Sequence, residues 1–326
     1  MTDGGSCCGG SRAAMGDATA SDHRPAADVG AGSMRRAAVD ADPCVQAIPP
    51  ISHVPPHGGW LSIPAQSFLM GDDSPEVVPG DGEDPVREVA VDAFRIAATT
   101  VTVAEWRDFS GATGYRTIAE REGWSFVFAG HLPEDHPPTR GLVGAPWWRQ
   151  VFGADWEHPQ GAGSTTDGRS DHPVVHVSRD DALAYCAWAG ARLPTEAEWE
   201  LAARGGLSRA RYPWGDELRP GGEHRCNIWQ GEFPRHDSGD DGFRGTAPVD
   251  AFAPNGLGLY NAAGNVWEWC DDAFTAPNAM PGSFVVRGGS HLCHRSYCNR
   301  YRVSARTGNT PDSSLSHTGF RIARDG

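Results

Sequence analysis

The sequence predicts a mixed α+β fold made of short elements, and three observations carry that reading. Apolar and polar residues alternate at strand spacing over residues 59–71 and again over 87–96. Three Ser/Thr capping boxes mark short helices in the middle of the chain. Beyond Gly205 the chain becomes a succession of Gly-, Asn- and Asp-rich turns between short apolar runs.

With 326 residues and 39% apolar composition the chain can bury a large core. Its formal net charge of −14 argues against general affinity for nucleic acid or an anionic membrane, because both need a concentrated basic surface. All 28 residues counted as Lys plus Arg are arginines. That excludes Schiff-base lysine chemistry, a pyridoxal phosphate anchor and a P-loop lysine. No stretch approaches the roughly eighteen apolar residues of a membrane helix. Residues 1–43, rich in Gly, Ala, Ser and Asp, lack the apolar run of a secretory signal. The chain reads as cytoplasmic, with a disordered tail over residues 1–45 in which the vicinal Cys7-Cys8 pair is incidental.

Taken in order, residues 59–71 suggest a hairpin closing at Gly71, residues 72–85 an acidic Pro/Gly-rich loop, and residues 87–96 a strand. Thr102-Val-Ala-Glu105 opens a helix through Trp106 and Phe109 to Gly111. Residues 114–171, rich in Trp, Pro, Gly and His, show little periodicity; they read either as an aromatic-lined surface or lid, or as packing under a long loop. Ser178-Arg-Asp-Asp181 opens a second helix that reaches Gly190. Thr195-Glu-Ala-Glu198 opens a third that ends at Gly205-Gly206. In the turn-rich part, Asn227 with Asp241, and Asn261 with Glu268, offer the oxygen mixture that calcium takes, although most such residues only stabilise turns.

The strongest anomaly is the run Arg287-Gly-Gly-Ser-His-Leu-Cys293-His-Arg-Ser-Tyr-Cys298-Asn-Arg-Tyr-Arg302. Residues 285–326 hold seven arginines against two aspartates in an otherwise acidic chain. Five residues are about 500° of helix, and an odd offset faces opposite sides of a strand, so Cys293 and Cys298 can pair only across a turn. His294, Arg295 and Arg300 would favour the thiolate. Four readings stand together at this point: a zinc site of His291, Cys293, His294 and Cys298; a redox dithiol; a soft-metal pair holding Cu(I); or plain packing cysteines.

The run from Gly288 to Cys298, followed by Ala305-Arg-Thr-Gly-Asn-Thr-Pro-Asp-Ser-Ser314 and Gly319-Phe-Arg321, closely resembles the formylglycine-generating enzymes, the sulfatase-modifying factors, of bacterial type. The likeness extends upstream through Asn261-Ala-Ala-Gly-Asn-Val-Trp-Glu-Trp269, Asn227-Ile-Trp-Gln-Gly-Glu-Phe-Pro234 and Arg192-Leu-Pro-Thr-Glu-Ala-Glu-Trp199. The resemblance implies a single irregular mixed domain of low secondary-structure content, related to C-type-lectin-like folds, with residues 46–326 as the catalytic domain. It implies an oxidase that uses O₂ to convert the cysteine of a Cys-x-Pro-x-Arg segment in unfolded sulfatases to Cα-formylglycine. By position, Cys293 and Cys298 would hold Cu(I), with Ser290, Tyr297, Asn309, Trp267 and Arg295 around them. Asn227, the carbonyl of Ile228, Asp241 and the carbonyl of Phe243 match one structural Ca²⁺ site. Asn261, the carbonyls of Gly264 and Val266, and Glu268 match a second. Val303, Ala203 and Ile322 stand where secretory relatives carry further cysteines, so Cys186 reads as a packing residue. The alternative is a non-catalytic peptide- or ligand-binding module of the same fold whose cysteines are structural or bind zinc.

Overall fold

The computed structural model describes Arg12 and residues 55–326. The disordered-tail reading therefore lies, Arg12 apart, outside the described residues. Four strands open the body: β1 (Trp60–Ile63), β2 (Gln66–Met70), β3 (Arg87–Val91) and β4 (Phe94–Ala97). The hairpin expected over residues 59–71 is not made. Instead β1 pairs antiparallel with β4, and β2 with β3 across the acidic loop. The linker Pro64-Ala65 explains this, since neither residue suits the positive φ of a two-residue hairpin turn.

All three capping boxes form, at the starts of α1 (Val103–Thr113), α3 (Arg179–Ala189) and α4 (Glu196–Ala203). Helix α1 runs past Gly111 and ends at Gly114, which takes the left-handed conformation at φ 69°. Residues 114–171 are more regular than their sequence suggests. A fourth capping box, Thr117 with Glu120, opens α2 (Ile118–Glu122). Strands β5 (Trp124–Phe128), β6 (Gly141–Leu142) and β7 (Ala145–Phe152) then form a sheet in the order β5-β7-β6. Strand β5 is covered on both faces, so its apolar residues run without alternation and carry no strand period.

A small hairpin of β8 (Gly231–Glu232) and β9 (His236–Asp237) precedes the sheet that positions the cysteines. Strands β10 (Trp267–Ala273), β11 (Phe284–Arg287) and β12 (Arg306–Asn309) are antiparallel neighbours, and β13 (Thr318–Gly319) adds parallel to β10. The last strand, β14 (Ala323–Asp325), returns to pair with β4, so the two ends of the body share one sheet. Helix α4 packs against β2, β3, β10 and β11, which ties the sheets together. One aromatic core of Trp106, Phe109, Tyr185 and Phe320 continues into Trp267, Cys293 and Cys298. Among the described residues, no helix is long and apolar enough to cross a membrane.

Arginines are unusually deep in this core. Arg287, Arg302 and Arg321 are fully buried, and each meets a buried carboxylate: Glu200, Glu83 and Glu268 respectively. Such charges tolerate burial only when paired and hydrogen-bonded. The Arg287 pair also spends two donors on the carbonyls of Ser304 and Ala305.

Candidate functional site

Strand β11 delivers the chain to Gly288 and Gly289, both at positive φ. A Cβ on Gly289 would stand 2.7 Å from the carbonyl oxygen of Arg300, so only glycine lets the outgoing chain pass the returning one. Between them the chain forms a tight irregular turn. The Cys293 N–H donates to the Ser290 carbonyl at 2.9 Å, and the His294 carbonyl accepts from the N–H groups of Tyr297, Cys298 and Asn299 at 2.9, 2.8 and 3.2 Å. This places the Sγ atoms of Cys293 and Cys298 2.9 Å apart, both buried and not joined as a disulfide. The expectation that they meet across a turn, on neither helix nor strand, holds.

Three of the residues expected around them gather there. The Ser290 N–H approaches Cys293 Sγ at 3.4 Å. Trp267 lies in the same core cluster as both cysteines. Tyr297 stacks on Phe233 with ring centroids 4.4 Å apart and meets the edge of Trp147 at 5.0 Å, forming an aromatic wall beside the turn. Asn309 pairs with Phe284 at the end of the β11–β12 ladder away from Arg287, and its Oδ1 accepts the Thr310 N–H. Arg295 is exposed at the turn.

His317 is the residue the sequence did not announce. Its Nδ1 lies 3.0 Å from Ser290 Oγ, and its carbonyl accepts the Trp267 N–H. It sits in Ser-His-Thr without a motif, and only the parallel pairing of β13 with β10 brings it to the turn. The neighbouring His291 has a defined tautomer: its Nδ1 must donate to the Asn265 carbonyl at 2.8 Å, which leaves Nε2 as a buried lone pair with no hydrogen-bond partner. Burial pushes His291 down to about 3, and pushes His317 well below its ordinary value, so both are neutral near pH 7.

The acidic loop of residues 72–85 supplies the counter-charge to the arginine-rich run. Arg300 Nε donates to Asp81 at 2.6 Å, and Arg302 makes a bidentate pair with Glu83 at 2.5 and 2.7 Å. Asn299 reaches Glu76. The two segments are opposite in charge, which is the signal in the sequence that could have joined them. Arg300, expected to favour thiolates, is thereby neutralised by Asp81. His294 bonds to Ser296, and burial followed by the Arg295 charge keeps it below its ordinary pKa.

The zinc set of His291, Cys293, His294 and Cys298 is not assembled, because His291 turns to Asn265 and His294 to Ser296. Among the described residues, no group of three or more His, Cys, Asp or Glu side chains is gathered to hold a metal. Two adjacent thiolates suit a soft ion of low coordination number.

The two calcium sets lie next to each other, since Asn227 bridges to Gly264. In the first, the Asp241 carboxylate accepts the N–H groups of Ile228 and Phe243, which draws the set together. In the second, Asn261 stands at φ 48° and gives its Nδ2 to the carbonyls of Pro248 and Val249. Its Oδ1 is buried without a hydrogen-bond partner, an orphaned acceptor that a hard cation would satisfy. Glu268, by contrast, is already held by Trp199 Nε1 and by Arg321. A cavity of about 750 Å³, lined by His131, Trp156, Arg169 and Arg244 among others, backs onto the turn through His291 but does not contain the thiols.

Residues 47–326 match the family model described as the sulfatase-modifying factor enzyme 1-like domain. The chain is 56% identical over 283 residues to a formylglycine-generating enzyme of Thermomonospora curvata, covering 82% of this chain and 93% of that relative. It is also 46% identical over 268 residues to the bovine (Bos taurus) protein named inactive C-alpha-formylglycine-generating enzyme 2, covering 81% and 87%. Among solved structures, PvdO from Pseudomonas aeruginosa aligns with a TM-score of 0.56 at 24% identity over 82% of this chain and 94% of that one, a likeness of fold.

Proposed function

The chain belongs to the sulfatase-modifying factor enzyme 1-like family, and from that membership we propose that it activates sulfatases by converting a cysteine to Cα-formylglycine. The reaction in this reading is an oxidation by O₂ of the cysteine in an extended Cys-x-Pro-x-Arg segment of an unfolded sulfatase. The observation that carries it is the pair of buried thiols whose Sγ atoms lie 2.9 Å apart on the turn. A relative named inactive matches at 46% identity, so membership by itself does not decide turnover. The thiol pair is the feature on which turnover depends.

Cys293 and Cys298 would hold Cu(I), which supplies the redox chemistry with O₂ that no side chain can provide. The rest falls to the protein. Trp267 and the core behind it keep water from the thiols. Ser290 and His317 place one hydrogen-bonded polar pair beside Cys293. The wall of Tyr297, Phe233 and Trp147 offers flat aromatic faces to a proline in an extended peptide. Among the described residues, Cys186, Cys226 and Cys270 are free buried thiols, which suits the reducing cytoplasm, where we place the protein.

The decisive experiment gives the protein Cu(I), O₂ and a Cys-x-Pro-x-Arg peptide and weighs the peptide. Replacing CH₂SH by CHO should lower its mass by about 18 units, and Cys293→Ser should abolish the change. A peptide left intact by the copper-loaded wild type would sink the reading. For the calcium sets, chelation should lower the melting temperature, and Asn261→Ala should remove most of that response.

A further inference from the structure

The cavity behind His291 differs in chemistry from the rest of the molecule. In a chain with 42 acidic residues and a net charge of −14, no Asp or Glu lines its volume of about 750 Å³. Arginines do. Arg169 and Arg244 line it from the solvent side, where both are exposed. Among the described residues neither forms an ion pair, and Arg244 only approaches the Ser238 carbonyl at 3.4 Å. A third arginine stands behind the wall: Arg107 lies 5.9 Å over the Trp156 ring and donates to Thr166 Oγ1 at 3.1 Å, and both partners line the cavity. Burial, and after it the Arg169 charge, push His131 down to about 4, so the arginine's field reaches inside and the imidazole is neutral near pH 7.

The inner end is His291, only 2% exposed. With its Nδ1 committed to the Asn265 carbonyl, its Nε2 can only accept, and nothing donates to it. A nitrogen buried in this way calls for a donor. A metal ion does not fit: His131 stacks on His291 with ring centroids 5.2 Å apart and planes 24° from parallel, so their in-plane lone pairs do not converge on one ion. Between the two ends, Trp156, Pro137 and Pro159 offer flat apolar faces, and Phe152 stands 68% exposed at the rim. The volume is that of a site for a small organic molecule.

We propose that this cavity binds a small aromatic oxyanion, its charged group held by Arg169 and Arg244 and a hydroxyl or N–H at its other end donated to His291 Nε2. Sulfate esters, phosphate esters and carboxylates share this chemistry. The thiols lie outside the cavity, so binding does not depend on the reaction proposed above.

Isothermal titration calorimetry on the full chain tests this with three probes: para-hydroxyphenyl sulfate, para-hydroxyphenyl phosphate and para-hydroxybenzoate. At least one should bind at a single site with a Kd below about 1 mM, and the tightest identifies the source of the anion. Arg169→Gln combined with Arg244→Gln should weaken it at least about tenfold, and exposed positions tolerate the change. The para-methoxy analogue of that probe should bind wild type at least about fivefold more weakly, and in His291→Phe the two should bind alike. Failure of every probe to saturate at about 10 mM overturns the proposal. So does unchanged affinity in the double arginine variant, equal affinity of wild type for the hydroxy and methoxy forms, or a preference for the hydroxy form that survives in His291→Phe. Should His291→Phe fail to fold, the wild-type comparison of the two forms decides.

Discussion

The five described cysteines divide into two groups that burial does not separate. Cys186 in α3, Cys270 in β10 and Cys226 are each enclosed and solitary, and burial pushes all three thiols far above their ordinary range. Cys293 and Cys298 are equally buried but lie side by side on an irregular turn among Ser290, His317 and Tyr297. A helix or strand presents one residue per position on a face, whereas a turn can fold two residues of one short segment onto each other. The comparison teaches that local irregularity, more than exposure or charge, is what brings two thiols side by side here.

The comparison can be broken most directly by exchanging the groups. Cys293→Ser or Cys298→Ser should cut turnover of a Cys-x-Pro-x-Arg peptide by at least about a thousandfold, as loss of a member of a cooperating unit does. Cys186→Ala should leave kcat within twofold and cost only about 1 kcal/mol in urea unfolding. Equal losses of turnover in both groups would erase the distinction.

A second probe acts on the scaffold of the turn. Glu83→Gln leaves Arg302 buried beside a neutral partner and should cost on the order of 3 kcal/mol, read from the unfolding midpoint. The loss should be accompanied by faster alkylation of Cys293 and Cys298 than of Cys270.

The smallest effect sharpens the contrast through pH. His291 and His317 are held neutral in the folded protein, below the ordinary imidazole value of about 6.5. An opened turn therefore binds more protons than the closed one at acid pH. The stability of the closed turn is complete above about pH 6.5 and falls as pH drops toward 4, by up to about 1.4 kcal/mol per unit for each histidine. Dithiodipyridine should reach Cys293 and Cys298 at a higher pH than it reaches Cys186, Cys226 and Cys270.

What could be read from the sequence was mainly local. The capping boxes of α1, α3 and α4 were legible because a Ser or Thr and an acid three residues on interact within one turn. The thiol turn was legible by elimination, since five residues fit neither period. Strand partners were not: β1 chose β4 over its neighbour β2, and β14 took the other edge of β4. Strand β5 hid because both its faces are covered. His317 and the pairing of the acidic loop with the arginine-rich run were missed for the same reason, as the partners are brought close only by sheet pairing and by ion pairs between distant segments.

The pairing of Arg302 with Glu83 spans 219 residues, and it has a consequence in time. A chain that emerges from the ribosome N-terminus first presents the acidic loop long before the arginines that neutralise it. The thiols immediately precede those arginines in the sequence. Contacts of such long sequence separation form late. Nascent protein therefore carries an unneutralised acidic loop until the segment of the thiols and of Arg300 and Arg302 has emerged, and a chain truncated before that segment would lose both the thiol pair and the partners of Asp81 and Glu83.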